Sequence, residues 1–141
     1  MCLGESNTNN EVWLADSGTT AHMTKYKDYF VDYKQFEVPK KVYIGNSDAI
    51  FAYGEGTINV EMKICGNWEQ NHLASVWYVP DICKNLFSIG QTIAKGFEFK
   101  ATRTECVIIR NGNVRLKGVF TANGLYALHL RVRAPALSAN V

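Results

Sequence analysis

The sequence predicts an all-β domain, a small closed β-barrel with one short helix. Apolar and polar residues alternate with a period of two over most of the chain, which is typical of half-buried strands. Clusters of glycine and asparagine separate these runs, and one segment has a helical pattern. The 141 residues are 47% apolar, which is enough for one domain with a buried core.

The clearest strand is Thr57–Ile64, in which every second residue is apolar. Shorter apolar runs predict the remaining strands, which are Glu11–Ala15, Lys41–Gly45, Ala49–Tyr53, Leu73–Val79, Phe97–Phe99, Cys106–Arg110, Val114–Phe120 and Leu125–Leu130. The order and spacing of these strands favour a barrel.

Turn residues join the strands, and Asn111-Gly112 between two apolar runs is the strongest hairpin signal. Leu86–Lys95 has the pattern of a helix, and Gly96 follows it as a C-terminal cap. The aromatic residues of Tyr26–Phe36 predict a helical turn.

The ends of the chain differ in composition from its centre. Residues 1–10 are polar and predict a linker or a remnant of cloning, residues 11–133 form the predicted domain, and residues 134–141 predict a flexible tail. No apolar run approaches the roughly 20 residues that span a bilayer, so we expect no membrane partner. The net charge is +2, and the +6 of residues 100–141 is interleaved along strands, which does not favour a nucleic-acid partner.

The cysteines and histidines show no metal-binding spacing. Cys2, Cys65, Cys83 and Cys106 form no C-x-x-C pair, and adding the three histidines completes no zinc motif. We therefore expect no metal and no cofactor, and free structural thiols of an intracellular protein.

The tripeptide Asp16-Ser17-Gly18 carries the functional signal. It directly follows the apolar segment Val12–Ala15, and an acidic group beside a buried strand is costly unless it is paired or used. An Asp that starts an Asx-turn is one interpretation. The other is the Asp-Ser/Thr-Gly loop of aspartic peptidases, because a hairpin, a long strand and an apolar–apolar–Gly segment with a helix follow in the order of the retroviral enzymes.

Five segments in the same order resemble the protease region of copia-type LTR retrotransposon Gag-Pol polyproteins. They are Trp13-Leu-Ala-Asp-Ser-Gly-Thr-Thr-Ala-His-Met-Thr24, Trp77-Tyr-Val-Pro-Asp81, Asn85-Leu-Phe-Ser-Ile-Gly-Gln91, Gly96-Phe97 and Asn123-Gly-Leu-Tyr-Ala-Leu128. The resemblance covers about residues 12–130 and implies a barrel of the retropepsin-like acid protease type. Ala15 and Thr19 depart from the family pattern, which usually has a bulky apolar residue before the Asp and Ala after the Gly.

The resemblance implies a catalytic loop of Asp16, Ser17 and Gly18. The hairpin at residues 43–53 is either a simple surface turn or, as the catalytic loop favours, a flap that closes over the substrate. Thr19 and the flap tip, Gly45, Asn46 and Ser47, are the predicted substrate-binding residues. Since the chemistry needs two carboxylates and the chain holds one Asp-Ser-Gly, two chains must each supply Asp16.

Histidine 22 has two interpretations. A structural residue hydrogen-bonded near the loop is favoured over a catalytic one. A Ser17–His22–Asp16 triad is disfavoured because the three residues lie too close in sequence.

The sequence thus predicts a homodimeric aspartic endopeptidase whose substrate is a Gag-Pol polyprotein. We expect it in the cytoplasm, within virus-like particles. The alternative is a catalytically silent or domesticated module that keeps the protease fold to bind peptides or to act in assembly.

Overall fold

A computed structural model describes residues 12–44, 48–122 and 124–135. Within them the chain forms eleven strands, one α-helix and one 3-10 helix at Lys27–Tyr29. The strands are β1 Trp13–Asp16, β2 Met23–Thr24, β3 Phe30–Ile44, β4 Asp48–Ile64, β5 Asn67–Tyr78, β6 Asn85–Ser88, β7 Glu98–Ala101, β8 Glu105–Arg110, β9 Asn113–Phe120, β10 Tyr126–Leu128 and β11 Leu130–Val132. The helix α1, Ile89–Ala94, lies between β6 and β7. The all-β prediction with one short helix is confirmed.

The predicted closure of the barrel is wrong. Among the described residues the pairing order is β11-β4-β5-β2-β6-β1-β10-β9-β8-β7, with β3 on β4, and the two ends of this path are not paired with each other. Alternation along a strand indicates which face is buried but not which neighbour each edge finds. The edge strand β7 is largely exposed and pairs only with β8 among the described strands.

The predicted strand Leu125–Leu130 is divided between two strands, β10 and β11. Leu125–Leu130 changes partners at His129, whose N–H donates to the Lys117 carbonyl and whose carbonyl accepts from the Lys63 N–H. Before this residue β10 pairs with β9, and after it β11 pairs with β4. A single stretch of chain therefore borders both halves of the sheet.

The helix is shorter than predicted. Asn85–Ser88 is a strand because it pairs in parallel with β1, and α1 begins only after Ser88. The Ser88 hydroxyl caps the helix by accepting the Gln91 N–H at 3.0 Å. At the other end Gly96 has a φ of +99° and its N–H donates to the Ile93 carbonyl, so the predicted C-terminal cap is confirmed.

The segment Tyr26–Phe36 is mostly strand. Its helical part is the 3-10 helix, and β3 starts at Phe30 and pairs with β4. Phe30 and Tyr33 pack edge to face, so the aromatic spacing that suggested a turn serves sheet packing.

The turns agree better with the sequence. Asn111 and Gly112 both have positive φ, at 55° and 79°, between β8 and β9, as a two-residue hairpin requires. Cys65 and Gly66 join β4 to β5 in the same way, with φ of 54° and 84°.

The thiols are not all as predicted. Cys65 and Cys106 are free, but Cys65 is exposed at its turn and only Cys106 is buried. Cys83 is disulfide-bonded, so the expectation of free thiols is wrong for it.

Two apolar clusters hold the sheet together. The larger contains Trp13, Ile58, Val60 and Leu116, all at most 1% exposed. The smaller lies under the β3–β4 hairpin and contains Ala21, Met23, Val42, Ala52, Val79 and Ile82. The predicted alternation over Thr57–Ile64 is confirmed, since Ile58, Val60 and Met62 are buried in the larger cluster and Ile64 packs against it. Ala52, at the other end of β4, lies in the smaller cluster.

Gly56 tests how closely β3 and β4 pack. A Cβ there would overlap the Asp32 carbonyl oxygen and lie 2.9 Å from the Phe30 ring. We expect Gly56→Ala to lower the free energy of unfolding by about 1–3 kcal/mol, because the opposing atoms belong to backbone and core. Urea denaturation measures this change.

The same substitution at Gly90 is the matched control. The nearest atom to a Cβ there is 3.9 Å away and the residue is helical, so Gly90→Ala should be neutral or stabilising by up to about 1 kcal/mol. Equal stability of Gly56→Ala and the wild type would contradict the packing described.

Candidate functional site

Asp16 is the last residue of a buried strand. Trp13, Leu14 and Ala15 are buried, Asp16 is half-buried, and Ser17 and Gly18 are exposed. β1 lies between β6, which it pairs in parallel, and β10, which it pairs antiparallel. The neighbouring strands therefore hold the carboxylate where the chain leaves the core.

The loop geometry orients the Asp16 carboxylate. The Gly18 N–H donates to Asp16 Oδ1 at 2.7 Å, and a Cβ on Gly18 would lie 3.3 Å from that oxygen. This is the contact of an Asx-turn, and it also holds one carboxylate oxygen in place. No described residue donates a hydrogen bond to the other oxygen, Oδ2.

Ser88 supports the loop from behind. It lies opposite Asp16 in the parallel register and is fully buried. Its hydroxyl donates to the Thr19 carbonyl at 2.8 Å while accepting the Gln91 N–H, and its own N–H donates to His22 Nδ1 at 2.8 Å. These contacts place Ser88 behind the loop, and the sequence analysis did not foresee the role of its hydroxyl.

His22 is a buried neutral histidine. It is 3% exposed, and its ring lies 4.6 Å from the ring of Phe87. Burial, with a smaller contribution from the positive charge of Lys95, lowers the pKa of His22 to about 3. Since Nδ1 accepts a hydrogen bond, the single proton lies on Nε2.

These contacts favour the structural interpretation of His22. Its Nδ1 is taken by the Ser88 N–H, and no hydrogen bond among the described residues joins its ring to Ser17 or Asp16. Its own N–H donates to Gln91 Oε1, and Gln91 Nε2 donates to the Ala74 carbonyl. The Ser17–His22–Asp16 triad has no support in this geometry.

Of the predicted substrate-binding residues, the structure describes only Thr19. Thr19 lies in the loop, but its hydroxyl oxygen is buried and has no partner among the described residues. Gly45, Asn46 and Ser47 lie outside the described residues. The hairpin that carries them is present, with β3 and β4 paired as far as Ile44 opposite Asp48. Whether these residues bind substrate stays a prediction.

A cavity of about 320 Å³ lies beside His22. Its lining includes Lys95, Arg110 and Arg115, three basic residues that the sequence analysis did not single out as a site. Asp16 is not among the lining residues. The basic character of residues 100–141 was the one signal that pointed to Arg110 and Arg115.

Comparison with known proteins identifies the family. Residues 13–97, more than half of the chain, match the model of the family described as Pol polyprotein, beta-barrel domain. The chain belongs to this family. No curated protein and no solved structure is similar enough to match this Pol beta-barrel domain.

The match begins with β1 and ends just after α1. It thus includes the Asp16 loop, the β3–β4 hairpin and the Ser88 contacts. The strands β7–β11 follow the matched part of the Pol beta-barrel domain.

No group of three or more histidine, cysteine or acidic residues in the described part of the chain is arranged to hold a metal ion. Across the same ranges, no helix is long and apolar enough to cross a membrane.

His22 gives the domain a defined response to acid. In the folded state the His22 imidazole binds a proton only below about pH 3, whereas in the unfolded chain it binds one below about pH 6.5. The free energy of unfolding therefore decreases as the pH falls from about 6.5 to about 3. His22→Gln removes this contribution. The wild-type free energy of unfolding should fall relative to the variant by up to about 1.4 kcal/mol per pH unit.

Urea titrations at several pH values between about 3 and 6.5 measure both slopes. His72→Gln, which also replaces a histidine by glutamine but leaves the hydrogen bond between Ser88 and His22 in place, is the control. Parallel pH profiles for the wild type and His22→Gln would disprove the assignment.

Proposed function

We propose that this Pol beta-barrel domain is one protomer of a homodimeric aspartic endopeptidase that processes a Pol polyprotein. The observation that carries the proposal is the Asp16 carboxylate, held by the Gly18 N–H at 2.7 Å where a buried strand reaches the surface. The proposed enzyme spans residues 11–133, and the proposed catalytic loop is Asp16, Ser17 and Gly18.

The need for two carboxylates supports a dimer. Two acidic groups about 3 Å apart share one proton because both cannot ionise together. One Asp-Ser-Gly occurs in the chain, and the other aspartates, Asp28, Asp32, Asp48 and Asp81, lack the Ser/Thr-Gly that follows. A second copy related by a twofold axis supplies the missing group.

The surface at the loop suits such pairing. Ser17 and Gly18 are exposed beside the half-buried Asp16, so a second copy can approach without displacing core residues. Behind the loop, the Ser88 hydroxyl anchors the Thr19 carbonyl. The loop therefore has a fixed inner side and an accessible outer side.

The chemistry follows from the pair. One Asp16, ionised, takes a proton from a bound water, and the other, protonated, donates to the carbonyl oxygen of the peptide bond. The Gly18 N–H holds Oδ1 and leaves Oδ2 for the water or the partner's carboxyl group. The two groups titrate together, so apparent pKa values belong to the pair. Water is the nucleophile, and the reaction calls on no cofactor.

The hairpin is the proposed flap. Near its tip Tyr43 is 69% exposed and Phe51 is 38% exposed, and large apolar side chains there suit a cover for an extended peptide. Gly45, Asn46, Ser47 and Thr19 are the proposed substrate contacts. The proposed location is the cytoplasm, in particles where the polyprotein is concentrated.

Replacement of Asp16 tests the reaction. Asp16→Asn keeps the shape of the side chain but removes the acid, so cleavage of a polyprotein containing this domain should fall at least about a hundredfold. Cleavage is read by gel on purified protein. Asp28→Asn, at an exposed aspartate, should keep full activity. Cleavage that survives Asp16→Asn would refute the peptidase, and peptide binding without turnover in the wild type would favour a silent module.

Mixing experiments test whether the site is shared between chains. If each active site needs two Asp16 side chains, an equal mixture of wild type and Asp16→Asn that exchanges subunits should keep about one quarter of the wild-type activity. A decrease to about one half would mean that each chain acts alone. Sedimentation of the same mixture confirms that the variant still forms dimers.

A further inference from the structure

We propose that the cavity beside His22 is a binding site for a small organic anion, specifically a phosphate monoester on an aromatic or apolar body. The cavity holds about 320 Å³, which lies at the small end of the range for ligand pockets. Asp16 does not line it, so the proposal does not rest on the proposed peptidase activity.

Positive charge around the cavity is unbalanced. Lys95, Arg110 and Arg115 line it, and none of its described lining residues is acidic. In the described part of the chain, ion pairs join Arg131 and Arg133 to Glu61, whereas these three cations have none. Converging cations without carboxylates favour an anionic ligand.

Two irregularities in strand pairing lie at the cavity, and one of them is at Arg115. β9 has one residue more than β8 at this point, because Ile108 lies opposite Leu116 and Ile109 opposite Val114. The extra residue is Arg115, and a bulge of this kind redirects a side chain. A second irregularity, between β4 and β5, lies at Ala74, another lining residue. Both irregularities therefore border the cavity.

The chemistry of the cations favours phosphate. A guanidinium presents paired N–H groups that match two phosphate oxygens, and an ammonium adds a point charge. The Arg110 Cζ lies 4.6 Å from the centre of the Phe97 ring, and this cation–π contact holds the guanidinium at the wall of the cavity. Asn71 and His72 at the border add groups that form hydrogen bonds.

The remaining walls are mostly apolar and select a ligand with more than a phosphate group. Beside His22 and Thr92 they contain Ala74 and the larger side chains Met62, Leu73, Phe87, Phe97, Ile108 and Leu116. Most of these side chains also belong to the core, so only part of each faces the cavity. An attached aromatic body would cover that remaining apolar surface, whereas inorganic phosphate would not. A long nucleic-acid strand instead needs a groove lined by successive exposed aromatic rings, and of the two phenylalanines here Phe87 is buried in the core.

Calorimetric titration of the intact domain with AMP, adenosine and inorganic phosphate tests the proposal. AMP carries both the phosphate and an aromatic body. It should bind at least about tenfold more tightly than either probe that has only one of them. Arg115→Gln should weaken AMP binding at least about tenfold, because it removes a charge-assisted pair of hydrogen bonds.

Arg103→Gln is the matched control, since Arg103 is exposed and does not line the cavity; it should keep wild-type affinity. Circular dichroism establishes that both variants are folded. Arg115→Lys is a second variant, which keeps the positive charge but lacks the paired N–H groups of the guanidinium. The proposal is overturned by no AMP binding up to about 10 mM, by equal binding of adenosine and AMP, or by unchanged AMP binding in Arg115→Gln. Tight binding of single-stranded RNA that AMP does not displace would also overturn it.

Discussion

The parallel pairing of β1 with β6 is the constraint on which the candidate site depends. It sets Asp16 opposite Ser88 at the point where both strands end. Ser88 is fully buried and its backbone and hydroxyl are all hydrogen-bonded, to the loop, to the helix and to His22. Because one residue serves all three elements, loop position and helix start are set together.

His22 connects the two candidate sites of the molecule. One side of its ring accepts the Ser88 N–H behind the Asp16 loop, and the residue also lines the basic cavity. It stays neutral because burial penalises its charged form and Lys95 adds repulsion. The same cation thus adds to the effect of burial on the pKa of His22 and contributes to the positive potential of the cavity.

Several features follow from local chemistry and were predictable. The alternation of β4, the Asn111-Gly112 hairpin and the Gly96 cap each depend on residues adjacent in sequence. The tripeptide at Asp16 was recognisable for the same reason, since a glycine two residues after an aspartate permits the close N–H contact. Errors came where a distant partner overrides a local preference. Residues 85–88 look helical alone but pair with β1, and residues 30–36 are drawn into the hairpin by β4.

The sequence by itself determined the all-β class and the loop that carries Asp16. The first depends on periodicity and the second on three consecutive residues. Tertiary structure alone decided that the hydrogen-bonded path of the described strands stays open, that Ser88 holds the loop and that Lys95, Arg110 and Arg115 line one cavity. The reason is distance along the chain. Strand partners and cavity walls come from segments tens of residues apart, and no local pattern encodes which of them meet.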